Sequence, residues 1–240
     1  MEYILIPISA FIGGILQGFA GFGSGILVMI VLPYFFNVPV AAAISGAMSI
    51  GVNASLVYLY RKNITIKDCI LPFILFTVTG IASVYLSASL KSKALNIGLG
   101  IFLLVLCAFM MLRNNHKLKL NKTSKYILVA IAGIMAGFFG IGGPLLAFYF
   151  KSTSENFKQF QANLNATFLL NGIVMAIFRI YRGFLTTKSF IYILIGMVAL
   201  VIGEKIASKK ANTVSEKTLD KFTYLLIGIS GLIKIVQEII

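Results

Sequence analysis

Histidine, cysteine and acidic residues are scarce in this chain of 240 residues, and tryptophan is absent. The single histidine, His116, lies in a basic stretch, and Cys69 and Cys107 stand apart in apolar surroundings. Since a structural zinc site takes four Cys or His ligands, we expect no metal site. We also expect no cofactor and no catalytic residue, because the apolar stretches hold no histidine, no pair of acids and no nucleophile beside a base.

Charged residues of both signs make up only 12% of the chain, whereas hydrophobic residues make up 59% and the mean hydropathy is +0.96. Soluble domains carry about 25% charged and ~45–50% apolar residues. A soluble domain of this size could not bury so much apolar surface, so the composition excludes cytosolic enzymes, disordered chains and secreted disulfide scaffolds. An integral membrane protein with several spans remains.

Positive charges outnumber negative ones, with 21 Lys and Arg residues against 7 acids and a net charge of +14. No polar stretch is long enough to form a basic soluble domain, so we expect no nucleic-acid partner. The charges lie between long apolar runs, which is typical of positive-inside topology and of attraction to anionic headgroups. The lipid bilayer is therefore an expected partner.

Eight apolar runs are each long enough to cross a hydrocarbon core, which takes a helix of about 20 residues. Transmembrane β-strands would show alternating segments of ~10 residues, so the continuous runs predict an all-α membrane protein of about eight transmembrane helices. The first run would form a helix of about 50 Å, so it must tilt, kink or break. The runs are 3–36, 38–60, 68–90, 94–112, 126–150, 160–181, 189–207 and 222–240.

Glycine spacing indicates an internal repeat, because a shift of 119 residues places GFAGFGSG (18–25) on GFFGIGGP (137–144). We predict a first transmembrane repeat at 1–112, a basic linker at 113–125 and a second repeat at 126–240, with four helices in each repeat. Four full spans per half would make the repeats parallel, and an odd number of crossings would make them inverted. The matched glycines are Gly14, Gly18, Gly21 and Gly23 with Gly133, Gly137, Gly140 and Gly142.

The basic linker also bears on orientation, since its five basic residues and lack of acids place it in the cytoplasm by the positive-inside rule. If all eight segments span, the loops at 61–67 and 182–188 share that side. The five lysines within 205–221 would then lie on the opposite side, against the rule. A first segment that breaks and returns to its starting side would change the count of crossings.

The two glycine clusters are the strongest candidates for a binding site. Successive glycines let a helix unwind and expose backbone N–H groups, and unwound half-helices are a recurrent way to hold an anion inside a membrane protein. We predict that the first helix of each repeat breaks at its cluster, with Pro144 removing a helical hydrogen bond in the second. Tight helix packing is the alternative role of these glycines.

Polar uncharged residues form a helical stripe in each half, alongside the clusters. The stripes are Ser45, Ser49 and Asn53 in the first half and Asn163, Thr167 and Asn171 in the second. Either they line a shared central path or they join helices by hydrogen bonds. The predicted substrate-binding residues are Gly21, Gly23, Ser24, Gly25, Gly140, Gly142, Gly143, Pro144, Ser49, Asn53, Asn165 and Asn171.

Few charged residues fall inside the apolar runs. Arg179 and Arg182 are one turn apart, and we expect them to extend to the cytoplasmic interface, although they could also attract an anion at a vestibule. Neither glycine cluster is expected to have a charge nearby. Glu204 is the one acid near a plausible membrane depth, and proton coupling is left without a clear carrier.

Two four-segment halves that each open with a GFxGxGxG/P motif resemble the sulfite exporter family known as the TauE/SafE or DUF81 permeases. The motifs GFAGFGSG and GFFGIGGP, together with the length and spacing, extend this resemblance over essentially the full chain. The resemblance implies an inner-membrane transporter of small sulfur-containing anions, such as sulfite or organosulfonates, and favours export. Members commonly have a proline after both clusters, whereas Gly25 stands here at the position that matches Pro144.

The leading interpretation is therefore a multi-pass secondary transporter in the cell's inner membrane, with a small anion as substrate. An anion channel, or a permease for another small solute, is the alternative. A membrane-embedded enzyme is disfavoured for want of catalytic groups. Both a monomer and a homodimer suit a two-half transporter of this size.

Overall fold

The computed structural model describes residues 1–113, 121–209 and 228–237, and within these ranges the chain forms helices and no strand. Single 3₁₀ turns at Leu32–Tyr34 and Arg61–Asn63 follow α2 and α3. The helices are α1 (Glu2–Ala20), α2 (Ser24–Val31), α3 (Val38–Tyr60), α4 (Ile66–Ser87), α5 (Ser92–Arg113), α6 (Lys122–Phe139), α7 (Gly143–Thr153), α8 (Phe157–Tyr181), α9 (Thr187–Lys209) and α10 (Gly228–Gln237).

Six of these helices are long and apolar enough to cross a membrane, namely α1, α3, α4, α5, α8 and α9. Shorter apolar helices occur at Ser24–Tyr34, Thr123–Phe139 and Gly228–Gln237. The first and fifth of the eight expected runs are each divided into two helices, and the run at 222–240 lies partly outside the described residues. So do most of the expected linker at 113–125 and its His116, while Lys122–Lys125 already belong to α6.

The first interruption lies at Gly21–Gly23, within the stretch where the sequence predicts a break. Gly21 ends α1 with φ 81° and donates its N–H to the carbonyl of Gln17 at 2.7 Å, and Gly23 precedes α2 with φ 114°. Left-handed backbone of this kind favours glycine, because a Cβ would crowd the following carbonyl. The chain then turns back along α1, so that a Cβ on Gly13 would lie 3.1 Å from Ser24 Cα. We call this helix–turn–helix unit (residues 2–31) hairpin 1.

The second interruption lies at Gly140–Gly142 and also separates two helices, but Gly142 has φ −114°, whereas Gly23 has φ 114°. Gly140 ends α6 with φ 68° and donates to the carbonyl of Ala136 at 2.9 Å. Pro144 stands in the first turn of α7, where no N–H donor is needed, so it helps this helix to begin rather than interrupting a continuous one. Helix α7 returns along α6, since the Lys125 ammonium donates to the Ser152 carbonyl at 3.3 Å. We call this unit (residues 122–153) hairpin 2.

Each hairpin packs closely on one long helix through glycines. Gly14 and Gly18 of α1 lie against the backbone of Leu200 and Glu204 of α9, and the two helices run parallel. Gly133 and Gly137 of α6 lie in the same way against α4 near Phe76 and Gly80, and these helices also run parallel. A side chain at any of these four glycines would overlap neighbouring backbone. The packing role that we weighed as an alternative therefore applies to these four positions.

The directions of the helices sort the connections between the two ends of the bundle. The Thr65 N–H donates to the Asn163 Oδ1 at 2.8 Å, so the turn at 61–65 lies beside the start of α8. Helix α8 then runs the length of the bundle to the turn at 182–186. These two turns therefore lie at opposite ends, contrary to the arrangement expected if all eight segments span, because hairpin 2, which lies between them in the chain, returns to the end at which it began.

Candidate functional site

A cavity of about 100 Å³ lies where the turns of the two hairpins meet, between α3, α4 and α8. Polar atoms reach it from Gln17, Ser24, Ser49, Asn53, Asn171 and Arg179. Apolar walls come mainly from Phe22, Phe76, Phe168 and Met175. Ten of the twelve predicted site residues line this cavity: Gly23, Ser24, Gly25, Ser49, Asn53, Gly140, Gly142, Gly143, Pro144 and Asn171.

The turns of the two hairpins touch each other at the cavity. A Cβ on Gly25 would lie 2.9 Å from the Gly140 carbonyl oxygen, and one on Gly143 would lie 3.4 Å from Phe22 Cβ. Helices α2 and α7 both begin here, and neither N-cap, Gly23 or Gly142, has a side-chain cap hydrogen bond. The first N–H groups of a helix have no intrahelical acceptor and carry partial positive charge. Two helix N-termini thus border one small space, an arrangement suited to an anion.

Arg179 brings a full positive charge to the same cavity. It lies in α8 with 4% of its surface exposed, and its Nη2 donates to the carbonyls of Ala136 at 3.2 Å and Gly137 at 3.0 Å. Its buried Nε has no hydrogen-bond partner. The expectations that Arg179 extends to the interface and that the clusters lack a nearby charge are therefore wrong. Folding of α8 against hairpin 2 encloses the side chain.

A sequence signal for Arg179 existed. Asn171, Met175 and Arg179 are spaced i, i+4, i+8, so they continue the helical face on which Asn163 and Thr167 lie. Arg182 differs from Arg179, because it is half-buried, stands outside the cavity lining and has its guanidinium 4.7 Å from the Tyr85 ring centroid.

The polar stripes meet the cavity through three of their members. Ser49 Oγ lies 3.4 Å from Ser24 Oγ, which joins the stripe of α3 to the first turn of α2. Asn53 Oδ1 accepts a hydrogen bond from Gln17 Nε2 at 2.6 Å. Asn171 Oδ1 accepts a hydrogen bond from Thr77 Oγ1 at 3.1 Å, which leaves the NH₂ group of the Asn171 side chain to act as a donor. Gln17 thus belongs to the site, although it is not among the predicted substrate-binding residues.

Gly21 and Asn165, the other two predicted residues, lie outside the lining. Asn165 is fully buried, accepts from Gln17 Nε2 at 3.2 Å and donates to Gln161 Oε1 at 3.0 Å. A Cβ on Gly21 would overlap the Gln161 amide at 2.5 Å from its Oε1. These residues hold the turn of hairpin 1 against α8. Joining helices by hydrogen bonds is one of the two roles that we considered for the polar residues on sequence grounds.

The glycines of the turns mostly face protein rather than the open cavity. A Cβ on Gly23 would lie 2.7 Å from Leu16 Cδ2, and one on Gly142 would overlap the Ala132 carbonyl. By contrast, a Cβ on Gly46 would lie 3.5 Å from the Arg179 Nη1, at ordinary contact distance. The sequence therefore located the turns correctly, but only the structure identifies which glycine borders the buried charge.

Comparison with known proteins adds one finding. The family model described as "Sulfite exporter TauE/SafE" matches residues 6–233 of the chain. The chain has no match among curated proteins and none among solved structures.

Proposed function

The chain belongs to the sulfite exporter TauE/SafE family, and we propose that it is a secondary transporter that exports small sulfur-containing anions, such as sulfite or organosulfonates, across the inner membrane. The substrate site in this proposal is the cavity between hairpin 1 and hairpin 2. The membrane potential, negative inside, favours the exit of an anion by ~2.3 kcal/mol per charge per 100 mV.

The observation that carries the proposal is the free Nε of buried Arg179 beside two helix N-termini. A buried charge without a counter-charge is costly, so it needs either a fixed partner or a mobile one. The described residues that bond to Arg179 are two neutral carbonyls, which leave its charge uncompensated. A small oxyanion fits this place, because it accepts several hydrogen bonds and supplies the missing negative charge.

The size of the cavity and the aromatic residues that line it also favour a small substrate. About 100 Å³ holds several water molecules, and therefore a compact oxyanion. The rings of Phe22, Phe76 and Phe168 form apolar walls, and apolar walls lower the local dielectric, which strengthens the attraction between Arg179 and an anion. A bulkier organosulfonate would need one of these rings to move.

The transport mechanism that we propose rests on two repeats of opposite orientation. Hairpin 1 packs on α9 of the second half and hairpin 2 packs on α4 of the first half, so the halves exchange equivalent contacts. Since α1 and α6 lie parallel to α9 and α4, which run in opposite directions, the halves are related by inversion. Because each hairpin returns to the end at which it began, the first half keeps three full crossings, α3, α4 and α5, an odd number, as inverted repeats require. Inverted repeats around a central site are a common basis for alternating access.

Sulfite flux into proteoliposomes tests the proposal, with Arg179→Gln as the variant and Arg182→Gln as the matched control on the same helix. We expect saturable flux for the wild type, little change in Arg182→Gln and a loss of at least tenfold in sulfite affinity or flux in Arg179→Gln. Melting temperatures of the purified proteins verify folding. Absence of saturable flux for any sulfur oxyanion would refute the proposal, and flux that rises linearly without saturation would indicate an anion channel.

A further inference from the structure

Glu204 is a buried acid that the proposed site does not use. It lies in α9 with 1% of its surface exposed. Its Oε2 accepts a hydrogen bond from Ser55 Oγ of α3, and its Oε1 accepts one from Ser208 Oγ one turn along α9, both at 2.6 Å. Its backbone lies against α1, where a Cβ on Gly18 would be 2.8 Å from the Glu204 carbonyl oxygen. Glu204 is therefore packed against α1 through its backbone, and its carboxyl group is bonded to α3 and α9.

The groups that surround this carboxyl are neutral in the described part of the chain. Helix α3 contributes the Ser55 hydroxyl and the phenol of Tyr60, which is within electrostatic range of Glu204. Helix α1 contributes Gly18 and no ionisable group, since its Glu2 and Tyr3 lie at the far end beside Tyr192. On α9 itself, Lys205 and Lys209 are exposed to the surroundings of the bundle.

Two hydroxyl donors replace only part of the hydration of this carboxyl group, and no cation contacts it among the described residues. Serine hydroxyls can donate to the ionised form and accept from the protonated form, so the same two partners serve both states. The environment thus permits Glu204 to bind and to release a proton without rearrangement of its neighbours.

Glu204 is also connected to the cavity through α3 and α1, because both helices contact Glu204 and both contribute residues to the cavity lining. Ser55 follows Asn53 on α3 by two residues, and Gly18 follows Gln17 on α1 directly. Gln17 and Asn53 are bonded to each other and line the cavity. A change of charge at Glu204 therefore acts on the two elements that position polar groups around the substrate. An anion in the cavity also disfavours a second negative charge nearby, so the proton and the anion should bind together.

We propose that Glu204 is the proton-binding residue of the transport cycle, and this inference rests on the proposed function. The carboxylate takes one proton from water on the side where the anion enters and returns it to water on the side where the anion leaves. No other group of the protein gains or loses a proton in this step. Proton and anion then move in the same direction, so export follows the outward gradient of the anion, carries one proton with it and is opposed by an inward proton gradient, whereas that gradient drives uptake.

Two measurements test this inference, with Glu204→Gln as the variant and Glu155→Gln, at an exposed acid, as the control. Titration calorimetry with sulfite in two buffers of different ionisation heat gives the protons taken up per anion bound. Sulfite's own protonation contributes equally to all proteins, so a difference belongs to the substituted residue. We expect the wild type and Glu155→Gln to take up more protons than Glu204→Gln, which still binds sulfite.

Flux provides the second measurement. An inward proton gradient should accelerate sulfite uptake several-fold by the wild type and by Glu155→Gln, and this acceleration should be lost in Glu204→Gln. If Glu204→Gln fails to fold, Glu204→Asp, which keeps the carboxyl group, should shift the pH dependence of sulfite binding. Equal proton uptake and equal acceleration in wild type and variants would overturn the inference while leaving the transporter intact. Failure of the wild type to bind or transport sulfite would overturn the proposed function, and this inference with it.

Discussion

At the scale of single residues, the effect of a substitution at the site depends on whether the new side chain would face protein or the cavity. Gly46 lies beside Arg179 in the cavity lining, whereas Gly142 faces the carbonyl of Ala132. Substitution of Gly142 therefore cannot separate binding from folding, because any side chain there disturbs the α6–α7 turn. Gly46 can separate them, since its neighbourhood accommodates a methyl group.

We predict that Gly46→Ala reduces sulfite affinity or flux while leaving stability unchanged or slightly improved. The added Cβ lies 3.5 Å from the Arg179 Nη1 and narrows the cavity, and Ala is more favourable than Gly within a helix by roughly 0.5–1 kcal/mol. Gly142→Ala is the matched comparison and should lower the melting temperature. Unaltered transport by Gly46→Ala would show that the substrate does not lie beside Arg179.

At the scale of elements, the two hairpins depend on a few left-handed glycines. Gly140 and Gly183 have similar φ angles of 68° and 74°, but they differ in surroundings. A Cβ on Gly140 would lie 3.2 Å from Ala42 Cα, whereas one on Gly183 would have nothing within 4 Å. Comparing Ala substitutions at Gly140 and Gly183 therefore separates the free-energy cost of the left-handed backbone from the cost of displacing α3.

We predict that Gly140→Ala destabilises the protein more than Gly183→Ala does. Left-handed backbone alone costs Ala roughly 1–2 kcal/mol, and Gly140→Ala adds the contact with α3 to that cost. Thermal or denaturant unfolding of the two purified variants in the same detergent measures the difference. Equal losses would indicate that the turn of hairpin 2 can move away from α3 freely.

At the scale of the whole molecule, the return of hairpin 2 to the end at which it began distributes the basic residues unevenly between the two ends. Ten of those in the described ranges lie near one end of the bundle: Arg61, Lys62, Lys67, Arg113, Lys122, Lys125, Lys151, Lys158, Lys205 and Lys209. Four lie near the other, namely Lys91, Lys93, Arg182 and Lys188, while the remaining two, Arg179 and Lys234, are buried. The conflict that eight simple spans create with the positive-inside rule thereby disappears, because Lys205 and the turn at 61–65 now share an end.

We predict that the end with ten basic residues is cytoplasmic. In a background with both native cysteines replaced by serine, a membrane-impermeant maleimide should label Ser89→Cys and Lys188→Cys on intact cells. Lys62→Cys, at the opposite end, should react only after the membrane is made permeable. The reverse labelling pattern would require the opposite orientation, and labelling of Ser89→Cys without Lys188→Cys would contradict the described helix directions.

The sequence by itself determined the properties that depend on short stretches of chain. Runs of apolar residues identified a helical membrane protein, successive glycines located both interruptions, and four-residue spacing placed Ser49, Asn53 and Asn171 on helical faces. Hydropathy, backbone freedom and helical periodicity are local, so they can be assigned before any tertiary contact is known.

Only the tertiary structure decided which of those groups meet. The burial of Arg179 follows from the packing of α8 on hairpin 2, and the burial of Glu204 from the packing of α9 on α1 and α3. Both contacts join residues more than 40 positions apart. An arginine near a helix end and a glutamate near another have the same sequence signature whether they face water, lipid or a cavity. What distinguishes them is the direction in which each hairpin returns, because that direction determines which helix covers each charge.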